Sequence, residues 1–472
     1  MSSTVVTQVL ARVLRVLAVA GVAGVVAASA ATPRDAAAAL PPGNTVAQWN
    51  QITEDTVAGV DMLADEGFIY MAYASAAVYD AVVAIEGGFA PYGPAITAPE
   101  GSSVDAAVVE AAYRTLWAYF PPESCNPASQ PAAYAFCLGV RPRLDAFYAE
   151  ALAPIPDGPA KDDGRAVGLA AANNIITLRS GDGRMTPFGV STPFPTLPPG
   201  PGVWRLTPPF AAPRTPWVGN VRRFILGSVD QFLPDPPPSL QSDEWAEAFN
   251  QIKAYGALTD HARTDEQTRI GQFWSASVIR QYNRVGRDLT GAAPDLLKAA
   301  RLLAMINLVG ADALMSNLYA KYYYLFWRPV TAINGSLDPT AVTNDGFGPV
   351  PGYDDGNPAT VEQPRWRPLL TTPNHPEYPA AHGAITSAMA EVFSTFLGTN
   401  QIDLDIHGFD PAGPAGNLNA VRHFDMPNEL RNEIIEARLW AGLHYHFSGV
   451  AGVVLGRNVA GYDLGHAFRP FD

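Results

Sequence analysis

Hydrophobic residues recur at helical spacing along most of the chain. Met71, Ala74, Val78, Val82 and Ile85 share one helix face, which Gly87-Gly88 would close. The same periodicity predicts helices over 105–118, 141–153 and 161–180, and again over 242–256, 264–288, 294–327, 383–397, 428–443 and 448–465. Period-two alternation is almost absent, so the expected fold is all-α, built of packed helical bundles. Residues 181–240 lose the periodicity and gain clusters such as Pro198-Pro199-Gly200-Pro201-Gly202 and Pro234-Asp235-Pro236-Pro237-Pro238. Trp204, Phe210, Trp217, Phe224 and Phe232 lie there too. Rings of that size would not stay in water, which favours an ordered wrapping loop over a free linker. The expected organisation is a leader (1–39), an N-terminal helical half (40–180), the Pro/Gly-rich loop (181–240) and a C-terminal helical half (241–472).

The pattern breaks most sharply at residues 371–383, Thr-Thr-Pro-Asn-His-Pro-Glu-Tyr-Pro-Ala-Ala-His-Gly. Its three prolines fix their own φ and push the preceding residues out of the helical region. A helical apolar face (Ile385, Ala388, Met389, Val392, Phe393, Phe396, Leu397) follows at once and stops at Gly398. His382 therefore sits where a stiff loop enters a helix, beside unpaired backbone N–H groups that attract anions. Upstream, Lys321 and Arg328 share a predicted stripe with Leu314, Leu318 and Leu325. Downstream, Arg438 shares one with Leu430, Ile434 and Ala441, and His444 follows Gly442, which would end or bend the helix. Cations on core-facing stripes are costly without an anion, and no Asp or Glu stands at partner spacing on either stripe. Lys321, Arg328 and Arg438 are thus expected to converge on a bound oxyanion, with His382 and His444 beside it.

Lys321-x6-Arg328-Pro329, Pro379-x-x-His382 and Arg438-x5-His444, in that order, resemble the three-part signature of the type-2 phosphatidic acid phosphatase and vanadium haloperoxidase superfamily. The context of 321–333 and of His375–His382 is most similar to the soluble, haloperoxidase-related branch. The resemblance extends upstream through Gln48–Ile52, Ala77–Val82 and Ser228–Phe232. It implies that His444 would bind vanadium or attack phosphorus, and that His382 would be the acid–base residue. It also implies an oxyanion cradle of Lys321, Arg328, Arg438 and the backbone N–H groups of Ala381 and Gly383. His375 and Trp327 would border a halide or substrate pocket. Two departures stand out. Ala380-Ala381 replace the usual Ser-Gly, and Ser448 replaces an Asp that would orient His444; Ser448 could accept that N–H more weakly. Three readings stay open: a vanadate-dependent haloperoxidase using hydrogen peroxide and halide, a secreted acid phosphatase needing no cofactor, and a non-catalytic oxyanion-binding homologue. The aromatic surroundings (Tyr323, Trp327, Tyr378) favour the first.

Composition narrows the partners. With 48% hydrophobic and 16% charged residues the chain can bury a large core. A net charge of −14 argues against nucleic acid and anionic membranes, and marks the cationic cluster as a local exception. Arg12 and Arg15 precede the apolar run 16–28, with small residues to Ala30 and Ala39, the pattern of an export signal. No later segment reads as a clean membrane span, so a secreted protein without stable membrane insertion is expected. In that setting Cys125 and Cys137, the two cysteines, are expected to pair.

Overall fold

The structure, a computed structural model, describes residues 39–471 except 61–63, 123–124, 126, 128–132, 187–196, 199, 208–212, 335–353 and 414–416. Residues 1–38 of the expected leader, and Phe210, lie outside the described residues.

Polar caps start many of the helices that periodicity predicts. Asn44 accepts from Ala47 N at the head of α1 (Thr45–Gly59), and Ser103 from Ala106 N at α3 (Val104–Tyr119). Between them runs α2 (Ala64–Glu86), closed by Gly87 and Gly88 at φ 73° and 83°. Helices α4 (Tyr134–Leu152) and α5 (Pro159–Leu178) complete the N-terminal set. Cys137 of α4 is bonded to Cys125, their Cα atoms 6.1 Å apart. After the loop come α6 (Asp243–Tyr255), α7 (Asp265–Phe273), α8 (Val278–Thr290) and the 29-residue α9 (Leu296–Tyr324). Then follow the short α10 (Pro329–Asn334), α11 (Ala381–Leu397), α12 (Pro427–Trp440) and α13 (His446–His466).

Helix α9 is the axis of the described fold. It packs on α2 from the N-terminal set and on α11 and α13 from the C-terminal set. Helices α2 and α9 are long and apolar enough to cross a membrane, against the expectation that no such segment exists. Their apolar residues are buried in the core instead.

Three other expectations change. The helix predicted over 264–288 is two, because the chain leaves the helix at Trp274 and restarts at Val278. The helix predicted to 327 ends at Tyr324, with Leu325 left-handed at φ 50°. Pro329 bars Arg328 from a helical conformation, and Trp327 N donates to Gly202 O. Finally, a two-stranded antiparallel hairpin, β1 (Leu404–Gly408) and β2 (Ala420–Phe424), joins α11 to α12.

The loop 181–240 is ordered where described. Asp312 on α9 accepts backbone N–H bonds from Phe224, Ile225 and Leu226 at 2.7–2.8 Å. Trp204 N donates to Leu325 O, and Arg214 N to Asn374 O. The loop is thereby fastened to the axis and to the segment that leads into α11.

Candidate active site

The loop before α11 reaches the site already braced. Lys321, in the last turn of α9, donates to Pro376 O (3.0 Å) and Glu377 O (2.8 Å). Arg328 donates through Nε to His375 O (3.0 Å) and through one terminal nitrogen to Leu443 O (2.9 Å). The same nitrogen lies 3.2 Å from His444 Nε2, and the other lies 3.0 Å from His375 Nδ1. Arg328 therefore leaves the expected α9 stripe and ties three segments together from the start of α10.

Helix α12 ends at Trp440, and Gly442 turns the chain at φ 75°. Leu443 N and His444 N both return to Arg438 O. That turn brings His444 beside Arg438, which the six-residue spacing on a straight helix would not. Arg438 donates to Trp274 O at 3.0 Å, in the break between α7 and α8. Its Nε is buried and has no hydrogen-bond partner among the described residues.

The acid that serves His444 comes from the loop, not from a helix stripe. Glu377 is fully buried, and its Oε1 accepts from His444 Nδ1 at 2.8 Å and from Tyr445 N at 3.1 Å. Ser448, expected to take that N–H, lies instead with its hydroxyl 3.5 Å from Glu377 O. Sequence reasoning missed Glu377 because it searched for partners along helices. The available signal was a carboxylate between two prolines, four residues ahead of Ala381.

His375, Ala381, His382, Arg438 and His444 line one cleft of about 370 Å³, together with Asp65, Arg214, Ser275, Ser277 and an apolar wall. Lys321 and Arg328 stand behind this lining, fully buried. Gly383 does too: a Cβ there would fall 2.9 Å from Gly449 O, so its small size serves the contact of α11 with α13. Trp327, expected at the pocket, packs on Trp245 at 5.8 Å in a separate aromatic cluster, drawn there by the early end of α9. Nothing in the sequence pattern singled out Asp65 or Arg214.

Burial and mutual repulsion shape the protonation states. Burial first, then the neighbouring cations, hold His375, His382 and His444 well below the ordinary imidazole value. Burial lowers Arg438 to about 9 and Arg328 to about 10, and pushes Lys321 well below its usual range. Glu377 is raised by burial to about 7, with Lys321 and Arg328 opposing. Neutral His444, donating Nδ1–H to Glu377, keeps its lone pair on Nε2.

Residues 301–472 match the family described as the VCPO second helical-bundle domain. The vanadium chloroperoxidase of Curvularia inaequalis is 26% identical over 298 residues, 52% of this chain and 47% of that protein. The chain is similar to the vanadium haloperoxidases. It spans about half the length of that curated relative. Its fold is shared with a bacterial vanadium-dependent iodoperoxidase (20% identity, TM-score 0.66, covering 92% of this chain and 99% of that one). It is also shared with a holo-type bacterial vanadium-dependent chloroperoxidase (14% identity, TM-score 0.63, covering 90% and 97%). For a haloperoxidase relative the residues present fit an oxyanion. Arg438 offers an unpartnered buried donor, α11 offers the N–H groups of its first turn, and His444 carries its lone pair on Nε2, shared in this structure with Arg328.

Proposed function

We propose that the chain is a vanadium-dependent haloperoxidase-like enzyme that oxidises halide with hydrogen peroxide. The observation that carries this reading is the Glu377–His444 pair, which leaves the lone pair of His444 on Nε2, against Arg328, at a cleft that Arg438 and His382 also line. Bound there, vanadate would supply a Lewis-acidic centre that activates peroxide. His444 Nε2 would be the ligand, its tautomer fixed by Glu377. Arg438 and the first-turn N–H groups of α11 would hold the anion, while Arg328, held by His375, sits against His444 Nε2. Neutral His382 can accept a proton at an approaching oxygen and return it. Lys321 holds the two carbonyls that keep Glu377 in place. Export remains part of the proposal, supported by the N-terminal pattern and by the Cys125–Cys137 bond.

Equilibrium dialysis against orthovanadate tests the assignment. Wild-type protein should bind about one equivalent; His444→Ala should abolish binding and Arg438→Ala should weaken it about ten-fold or more. Bromination of a phenolic dye should require vanadate, peroxide and bromide together. Unchanged binding in His444→Ala, or metal-free hydrolysis of p-nitrophenyl phosphate that vanadate inhibits, would overturn it.

A further inference from the structure

The cleft is larger than the chemistry at its floor requires. At about 30 Å³ per oxygen, by analogy with water, a tetrahedral anion fills on the order of a third of it. Its lining also includes the apolar Val278, Leu314, Leu318 and Ile385 and the charged pair Asp65 and Arg214. An apolar wall facing a few fixed polar groups is the usual make-up of a small-molecule site.

The pair is held from behind rather than used up by itself. Asp65 lies in the first turn of α2, and one of its oxygens accepts from the Thr215 hydroxyl. The other lies 3.9 Å from Arg214 Nε, within ion-pair reach but too far for a hydrogen bond. Arg214 Nε makes no hydrogen bond among the described residues. Its backbone is pinned from both directions, by Arg214 N to Asn374 O at 2.8 Å and by the Tyr322 hydroxyl to Arg214 O at 2.6 Å. The result is a carboxylate held by Thr215 beside an arginine whose backbone is held, both lining the same cleft as His382 and His444.

We propose that this compartment binds the organic acceptor itself, a phenol, with its ring on the apolar wall and its hydroxyl between Asp65 and Arg214. The proposal rests on the haloperoxidase reading. A phenol hydroxyl donates and accepts, which matches the pair, and its ring fits the volume left above the floor. Halide, peroxide and a proton give hypohalous acid and water. The ring's π electrons then form the carbon–halogen bond as the halogen–oxygen bond breaks. The ring proton leaves with the released hydroxide as a second water. Asp65, accepting the phenol's hydrogen bond, raises the electron density of the ring and so favours attack on the halogen.

The test uses the full chain and direct binding, read by calorimetry. The probe is p-cresol, compared with 4-methylanisole, which has the same ring but no hydroxyl proton. In wild type, p-cresol should bind about ten-fold more tightly than 4-methylanisole, and should do so with or without saturating orthovanadate. Asp65→Asn should erase most of that preference while leaving 4-methylanisole affinity in place. Arg214→Gln, compared in the same way, serves if the first variant does not fold. Equal affinity of the two probes, no binding of either, or displacement of p-cresol by orthovanadate would overturn the proposal. If wild type binds p-cresol with the expected preference yet takes up no orthovanadate, the compartment stands and the haloperoxidase reading fails.

Discussion

Glu377 governs His444 through a single hydrogen bond, and the two can be separated by one substitution. Glu377→Gln keeps an oxygen for Nδ1–H but loses the charge, so orthovanadate affinity should fall about ten-fold or more in dialysis. Ser448→Ala removes one hydroxyl from beside Glu377 but leaves the carboxylate bond to His444, and should change affinity by about two-fold or less. Equal losses in both would mean that the carboxylate does not act through the histidine. Lys321 and Arg438 stood out in the sequence because an apolar stripe is a costly place for charge, whereas Arg328 left its expected stripe for the start of α10. The acid that serves His444 did not stand out. Glu377 lies in an irregular segment whose periodicity carries no information, and only the backbone turn at Gly442 brings it to His444. The same limit hid Asp65 and Arg214, which are far apart in sequence and meet only across the folded loop.

At the scale of the element, the site rests on the seam between α11 and α13, where small residues let two backbones touch. A Cβ on Gly452 would lie 2.3 Å from Ala380 O, and one on Gly456 would lie 1.9 Å from Ala384 O. Gly452→Ala should therefore destabilise the fold by about 1–3 kcal/mol and shift the loop that leads to His382. Thermal unfolding and orthovanadate dialysis should both worsen. Gly461→Ala on the same helix meets nothing within 4 Å, and should leave binding alone while gaining up to about 1 kcal/mol from helix propensity. Helices of this kind were largely readable, since caps, glycine stops and apolar faces all agree. The hairpin was not. Strand β1 is five residues long, and on β2 Val421 is exposed while Phe424 is the residue that buries, so the alternation is too weak to see.

Across the whole molecule, the wrapping loop, α9 and α13 meet at two buried carboxyls, Asp312 and Asp463. Burial, then the charge of Asp312, holds Asp463 well above the usual carboxyl range, and burial likewise raises Asp312. A raised carboxyl contributes stability that is fully present below its unfolded pKa of about 4 and is lost as pH rises through the folded value. The melting temperature should accordingly fall with rising pH across that window. Asp463→Asn keeps a donor toward Asp312 and removes the titration, so its melting temperature should depend less on pH and exceed wild type at the alkaline end. A slope unchanged by the substitution would assign the dependence elsewhere. The glycine seam has one more consequence. His382 lies in the first turn of α11 and His444 stands two residues before α13, so their separation follows two helices whose main chains touch along a glycine seam. Sequence drift in the surrounding core can exchange one apolar side chain for another without resetting that ruler.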